Sequence, residues 1–374
     1  MARVTMEDIA RITGYSLSTV SRSLNDHPGI SAETKRRIGE VAREHGFAVN
    51  MRARSLATNR NSTIGIIYAE SLDNENNFHY AGRLQASIRS VLEREQIDSL
   101  VAFTRNRLTG ESNVSRLIGQ QKVDGILLIQ PEITIEDAHA VKNAGIPVVL
   151  LHFLPRELEL ADMDYFYSDH VHGGYLATDH LIRRGAKRIV CITERERQFV
   201  ERTEGFRRAH KDHGIAVDES LIYSRDASYD AGYELARHET HTFRGADAVF
   251  AQSDIVALGI IRGLREAGLR VPEDLLLAGY DDIGTAALVT PSLTTVRQPH
   301  HAIASRACEH LVRKLQSSDD EPVEHVILEP TLIVRESTGP ALSGGAQKGS
   351  TTDATTESTT KSPIRKTGAT EEEK

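Results

Sequence analysis

Residues 16–25 read SLSTVSRSLN, and the reading of this stretch decides how the front of the chain folds. Val20 and Leu24 lie one helical turn apart and form an inward apolar pair. Ser16 stands where a helix N-cap is wanted. Leu17, Ser18, Ser21, Arg22 and Asn25 then fall on the outward face. A segment this short and polar cannot bury enough apolar surface to fold alone. It reads as one helix, held by its neighbours, that presents a face to something else.

Working outward, MEDIARITG carries Met6, Ile9, Ala10 and Ile12 at helical spacing, with Thr5 as N-cap and Gly14 as the break. After Pro28 and Gly29, Ser31 caps a third helix whose buried stripe is expected at Ile38, Val41 and Ala42, closed by Gly46 and anchored by Phe47. A short helix, a tight turn with glycine and a second short helix make a helix-turn-helix pattern. The outward face of the second helix suits the major groove of double-stranded DNA, which admits a helix. Arg22 can donate twice to a guanine edge, Leu17 can pack on a thymine methyl, and Ser18 can donate or accept. Ser16, Ser21, Asn25 and Thr34 are short polar groups suited to phosphates, which position without specifying. The charge distribution agrees: residues 1–60 hold ten lysines and arginines against six acidic residues, in a chain whose net charge is −8.

The matching residues are Thr5, Asp8, Ile9, Ala10, Gly14, Ser16, Thr19-Val20-Ser21-Arg22, Leu24-Asn25, Ser31, Thr34, Asn50, Ala53-Arg54 and Leu56. At these spacings the segment resembles the DNA-binding headpiece of the lactose-repressor (LacI/GalR) family. The resemblance implies a headpiece over 1–49, in which Thr5 and Ser31 are also counted among the DNA-facing residues. It implies a hinge helix over 50–62 that forms when two subunits pair on DNA. There Asn50 enters the hinge, Ala53 packs on the partner hinge, and Leu56 is a minor-groove wedge of the kind that kinks a duplex. One departure stands out: Phe47-Ala48-Val49-Asn50 lacks the proline that the family often has here, so the hinge entry is expected to be less fixed off DNA.

From Thr63 the pattern changes to apolar runs (TIGIIYA, DSLVAFT, VDGILLIQ, PVVLLHF, KRIVCIT, ADAVFAQ, LLLAGYDD) alternating with amphipathic segments. Continuous apolar strands between helices predict parallel sheets covered on both faces. The α/β body, 63–340, is similar to periplasmic sugar-binding proteins: two Rossmann-like subdomains closing on a ligand. The resemblance extends to Arg202-Thr-Glu-Gly205-Phe206, to SDIVALG at 253–259 and to REAGLRVPEDLLLAGYDD at 265–282. Subdomain one is expected over about 63–161 plus 292–322, with LTTVRQP and its following helix crossing back to it. Subdomain two is expected over about 162–291 plus 323–340. Residues 341–374, rich in Ser, Thr and Gly, are expected to be a disordered tail without leucine heptads, which favours a homodimer over a tetramer.

Ligands of parallel sheets bind beyond the carboxyl ends of the strands. The candidates there are Glu70, His79, Gln130, His152, Arg202, Ser253 and Asp281. By resemblance, Arg202 and Asp281 grip ligand hydroxyls; a guanidinium fork and an acceptor-only carboxylate together suit a vicinal diol. His79 occupies the place where many members stack an aromatic ring, and Ala227 stands near a second such place. Lost aromatic area argues against a purine and for a polar effector such as a sugar, polyol or sugar acid.

Other classes fit less well. There is no P-loop, no G-x-S-x-G and no metal-ligand cluster, so neither a catalytic residue nor a cofactor is expected. Cys191 and Cys308 are in no paired spacing and read as small core residues in a reducing cytoplasm. No apolar run is long enough for a membrane span. The rival reading, a periplasmic solute receptor, shares the body but needs a signal peptide, and MARVTMEDIARITG does not read as one. The expected function is a cytoplasmic transcriptional regulator, nucleoid-bound when on DNA. It binds a near-palindromic operator and answers to a small effector.

Overall fold

The computed structural model describes residues 4–25, 27–47, 61–70, 78–129, 133–154, 159–317 and 321–339. The front of the chain is a three-helix unit: α1 (Met6–Thr13), α2 (Leu17–Leu24) and α3 (Ala32–Glu44). Each helix begins on a side-chain cap. Thr5 and Asp8 form a reciprocal capping box, Ser16 accepts from the Thr19 amide, and Ser31 from the Thr34 amide. Gly14, at φ +75°, ends α1 in the left-handed conformation that glycine takes at little cost. Ile9, Val20, Ile38 and Ala42 are the core, with Leu24, Val41 and Phe47 packed against it. One expected core residue faces the other way: Ile12 is 43% exposed, and Thr13 is buried in its place. Burial of Thr13 is tolerated because its hydroxyl donates to the Ile9 carbonyl at 2.7 Å.

The body holds two six-stranded sheets. The first contains β1 (Thr63–Tyr68), β2 (Asp98–Phe103), β3 (Gly125–Ile129), β4 (Val148–Leu151) and β5 (Asp164–Ser168). Between them lie α4 (Phe78–Arg94), α5 (Asn113–Gly119) and α6 (Ile135–Lys142). The second sheet is built from β6 (Ile189–Thr193), β7 (Ile222–Ser224), β8 (Ala248–Ala251) and β9 (Leu276–Tyr280). Its helices are α7 (His170–Arg183), α8 (Arg197–Asp212), α9 (Tyr229–His238), α10 (Thr240–Arg244) and α11 (Asp254–Glu266). These pairings are parallel, and β1, β3, β4 and β8 are buried or nearly so along their length, as expected of strands covered on both faces. Cys191 and Cys308 are buried free thiols.

The crossings between sheets correct the expected boundaries. β5 belongs to the first sheet, where Val149 pairs with Asp164, so the chain crosses at 169–170 rather than near 162. β10 (Thr294–Arg297) stays in the second sheet, paired with β9, and only the following α12 (His300–Gln316) returns to pack on β3, β4 and β5. VEHVILEPTLIVRES does not complete one sheet. β11 (His325–Leu328) adds to β5 in the first, and β12 (Thr331–Ile333) adds antiparallel to β10 in the second. The hydrophobic pattern of a strand reports that it is buried, not which sheet supplies its partner. Three successive crossings, after β5, β10 and β11, bring backbone from both sheets together at the strand ends.

Candidate functional site

Two places collect the candidate residues. On the headpiece, Leu17 is 45% exposed, and Ser18, Arg22 and Asn25 are also exposed, while Val20 is fully buried. Helix α2 therefore offers one continuous polar and aliphatic face outward, as its spacing predicts. Ser16 is already engaged: besides capping α2 it meets Ser18 Oγ at 2.9 Å and Thr19 Oγ1 at 2.8 Å. Asn25 turns its amide back to the Ser21 carbonyl at 2.9 Å. Ser21 and Thr34 are half-buried, while the capping residues Thr5 and Ser31 are exposed. Asn50, Ala53 and Leu56 lie outside the described residues, as does Gln130.

The second place is the floor between the sheets. Helix α8 carries Arg202 inward because Gly174 and Gly205 let α7 and α8 touch through their backbones. A Cβ at Gly174 would stand 2.0 Å from the Arg202 carbonyl oxygen, and one at Gly205 2.0 Å from that of Val171. Arg202 is 3% exposed. Its guanidinium lies 3.7 Å over the Tyr280 ring, donates from Nη1 to the Gln252 carbonyl and from Nε to His170 Nδ1 at 3.2 Å, and reaches Asp281 Oδ1 at 3.7 Å. This acceptor role, with the Tyr280 hydroxyl also at 3.1 Å, leaves the His170 proton on Nε2. His170 is driven well below its ordinary pKa by burial first and by Arg202 next.

Asp281 sits at the end of β9 at φ +110° and Asp282 follows at φ +50°. Strain of this kind costs about 1–3 kcal/mol per non-glycine residue and persists only where the surroundings over-determine it. Here they do. The Asp281 amide donates to Val296 O at 2.8 Å and its carboxylate accepts from Gln298 Nε2 at 2.7 Å. The Asp282 carboxylate takes Arg297 and Arg335, each at 2.6 Å. Burial raises the Asp281 pKa, against Arg202, Gln298 and Ser253, which pull it down. Ser253, at the head of α11, is itself buried, and the next residue, Asp254, is pushed well above the carboxylate range by burial and then by Asp281.

His152 is buried just beyond β4 at φ +65°, its ring 5.0 Å from that of His300. Burial first, and His300 second, hold His152 well below its ordinary pKa. The structure thus gathers His152, Arg202, Ser253 and Asp281. Glu70 is exposed just beyond β1, and of His79 only the backbone, in α4, is described. The contributions of His170, Gln252, Tyr280 and His300 are absent from the sequence reading. Each follows the end of a strand or closes it, which is the signal that could have found them. Glu194, directly after β6, is another: burial, then Glu196 and Asp226, raise it to about 7.

A separate cavity of about 570 Å³ opens at the amino ends of β4 and β5, lined by α6 and by Lys314 of α12. It lies at the opposite end of the first sheet from the cleft. Its best-placed charges satisfy each other, Lys314 Nζ and Asp164 Oδ2 meeting at 2.6 Å.

Comparison with known proteins fits both places. Residues 5–50 match the model of bacterial regulatory proteins of the lacI family, and 178–338 match a periplasmic binding protein-like domain. The chain is 32% identical over 340 residues to the HTH-type transcriptional regulator CelR of Thermobifida fusca, covering 90% of this chain and 98% of that one. It is 30% identical over 320 residues to the transcriptional repressor PurR of Vibrio atlanticus, covering 85% and 93%. Among solved structures, a CelR–cellobiose complex superposes with a TM-score of 0.64 at 30% identity, covering 90% of this chain and all of that one. A lac repressor dimer bound to operator and an anti-inducer shares the fold, with a TM-score of 0.72 at 23% identity over 91% of this chain and all of that one. The helix-turn-helix headpiece, the two parallel sheets and these relatives together place the chain in the LacI family of DNA-binding transcriptional regulators.

Proposed function

We propose that this regulator is a repressor that binds a near-palindromic operator as a homodimer and releases or tightens it according to a sugar-like effector held between the two sheets. The observation that carries the effector reading is the Arg202–Asp281 pair: Arg202 buried, Asp281 half-buried and open to further donors, the two 3.7 Å apart. That gap is too long for a direct hydrogen bond and suits hydroxyls that accept from the arginine and donate to the aspartate. The rich supply of polar groups and the shortage of aromatic walls favour a sugar, polyol or sugar acid over a purine. The relative whose structure holds cellobiose makes that disaccharide the first compound to try.

On DNA, Leu17, Ser18 and Arg22 read base edges. Ser16, Ser21, Asn25 and Thr34 face phosphates, as do Thr5 and Ser31, and Asn50, Ala53 and Leu56 act in the hinge. Two copies are needed because one small headpiece covers little duplex, and half-sites on a symmetric operator raise both affinity and specificity. The relatives named above are regulators, and we read this chain as a non-catalytic one, working in the cytoplasm. Among the described residues no helix is long and apolar enough to cross a membrane.

Isothermal calorimetry tests the cleft. Cellobiose, other neutral sugars, polyols, sugar acids and purines are titrated into wild type, Arg202→Ala and Asp281→Ala. Heat from a saccharide or polyol with wild type, lost in both variants, is the expected result. A ligand bound equally by all three, or a purine as the sole binder, would overturn it.

A further inference from the structure

The strained turn after β9 touches the effector residues on one side and the opposite subdomain on the other. Arg83, on α4 beside the first sheet, donates from Nη1 to the carbonyl oxygen of Asp282 at 3.1 Å, across 199 positions of sequence. Nothing in the reading of the cleft uses this contact. We infer that Arg83 is the residue through which the state of Asp281 is passed to the first subdomain. This rests on the effector reading of Asp281.

The geometry makes the transfer specific. The Asp282 carboxylate is fixed by Arg297 and Arg335, and its amide donates to Thr295 Oγ1 at 3.3 Å, so the side chain and the amide are pinned to the second subdomain. The carbonyl is the group left to point across the cleft. Its direction depends on the backbone angles of Asp281 and Asp282, both of which lie in the left-handed half of φ. A change in what the Asp281 carboxylate binds alters the forces holding that backbone, and with them the aim of the carbonyl. On the receiving side, the same turn of α4 is fastened to its own subdomain. Ser87 Oγ donates to the Arg83 carbonyl at 3.1 Å and meets His301 Nδ1 of α12 at 3.0 Å. Movement of the Arg83 guanidinium is therefore borne by α4 and by the start of α12, where His300 also feels Arg83 and bonds the Asp281 backbone. Coupling between sites requires such a contact, whose strength differs between two states.

A variant cycle read by hydrogen–deuterium exchange on the full chain tests this without any effector. Asp281→Asn removes the charge while keeping the shape, and Arg83→Met keeps the length of the side chain but not its donors. In the wild-type background, Asp281→Asn should speed exchange of the amides in the Arg83–Leu92 part of α4 by about threefold or more, the signature of a lost local tether. In the Arg83→Met background, the same substitution should change those amides no further, and Arg83→Lys, which retains a donor, should restore part of the response. The two effects adding independently would overturn the inference, as would an α4 indifferent to Asp281→Asn. These outcomes are distinct from the calorimetric ones. A chain that binds no sugar but shows the non-additive cycle keeps the coupling and loses the effector. A chain that binds cellobiose through Asp281 yet shows additive exchange keeps the effector and loses Arg83.

Discussion

At the scale of single residues, the headpiece separates into groups that fold it and groups left to act. Thr5, Ser16 and Ser31 each cap the start of a helix, and replacing such a cap with alanine costs about 1 kcal/mol of stability. Any phosphate contact proposed for them would have to come through a bifurcated use of the same hydroxyl or through exchange of the cap for the phosphate. Arg22 has no part in the folded core. Arg22→Ala should leave the melting temperature of the free protein within about a degree or two, because surface substitutions usually change stability by under 0.5 kcal/mol. It should weaken operator binding by about 1–3 kcal/mol and relax the preference at one position of each half-site. Binding by fluorescence anisotropy to a panel of singly substituted operators measures both. An unchanged affinity with unchanged preferences would remove Arg22 from the base-reading role.

At the scale of elements, glycines decide where Arg202 stands. An alanine at Gly205 would press on backbone atoms, 2.0 Å from Val171 O and 2.6 Å from Tyr175 N, and backbone cannot turn aside as a side chain can. Gly205→Ala should therefore cost about 3 kcal/mol or more, at or beyond the usual range for overpacking, and should weaken any ligand held by Arg202 as α8 is pushed off α7. Gly39→Ala in α3 is the control, since nothing lies within 4 Å of the added Cβ. It should be neutral or stabilise by up to about 1 kcal/mol through helix propensity. Urea denaturation separates the two. The elements also show what a sequence can disclose. The capped helices of the headpiece, Gly14, and the buried strands of both sheets are written in local spacing and were legible there. The sheet to which β5, β10 and β11 belong was not, because register between strands far apart in the chain leaves no local mark. Arg202 and Asp281 stood out as candidates through motifs. His170 and His300 became candidates only once the crossings placed their strand ends beside them.

At the scale of the whole molecule, the cleft floor ties stability to pH. His152, His170 and His300 are neutral and buried in the fold, and His300 is lowered to about 3. Burial is the main cause for His300. The charges that face it are Arg83 from α4 and Arg202 from α8, which lower it, and Asp282, which raises it together with a bond to the Asp281 backbone. A histidine whose folded pKa lies below its unfolded value near 6.5 contributes its full stability above that value. As the pH falls below 6.5 the unfolded chain takes up a proton that the fold refuses, and stability drops by about 1.4 kcal/mol per pH unit for each such group. Asp254, Asp281 and Glu194 act with the opposite sign, because their folded values are raised and the fold is weakened as the pH climbs through them. The total slope is thus a difference of opposed terms, and a single variant isolates one of them. Between pH 7 and pH 5, wild type should lose about 2 kcal/mol more stability than His300→Gln, whose side chain takes up no proton in either state. Urea unfolding at the two pH values supplies the comparison. Equal losses would mean that His300 is protonated in the fold at pH 5, and the cation-crowded floor inferred from its neighbours Arg83 and Arg202 would be more open to solvent than the packing around it implies.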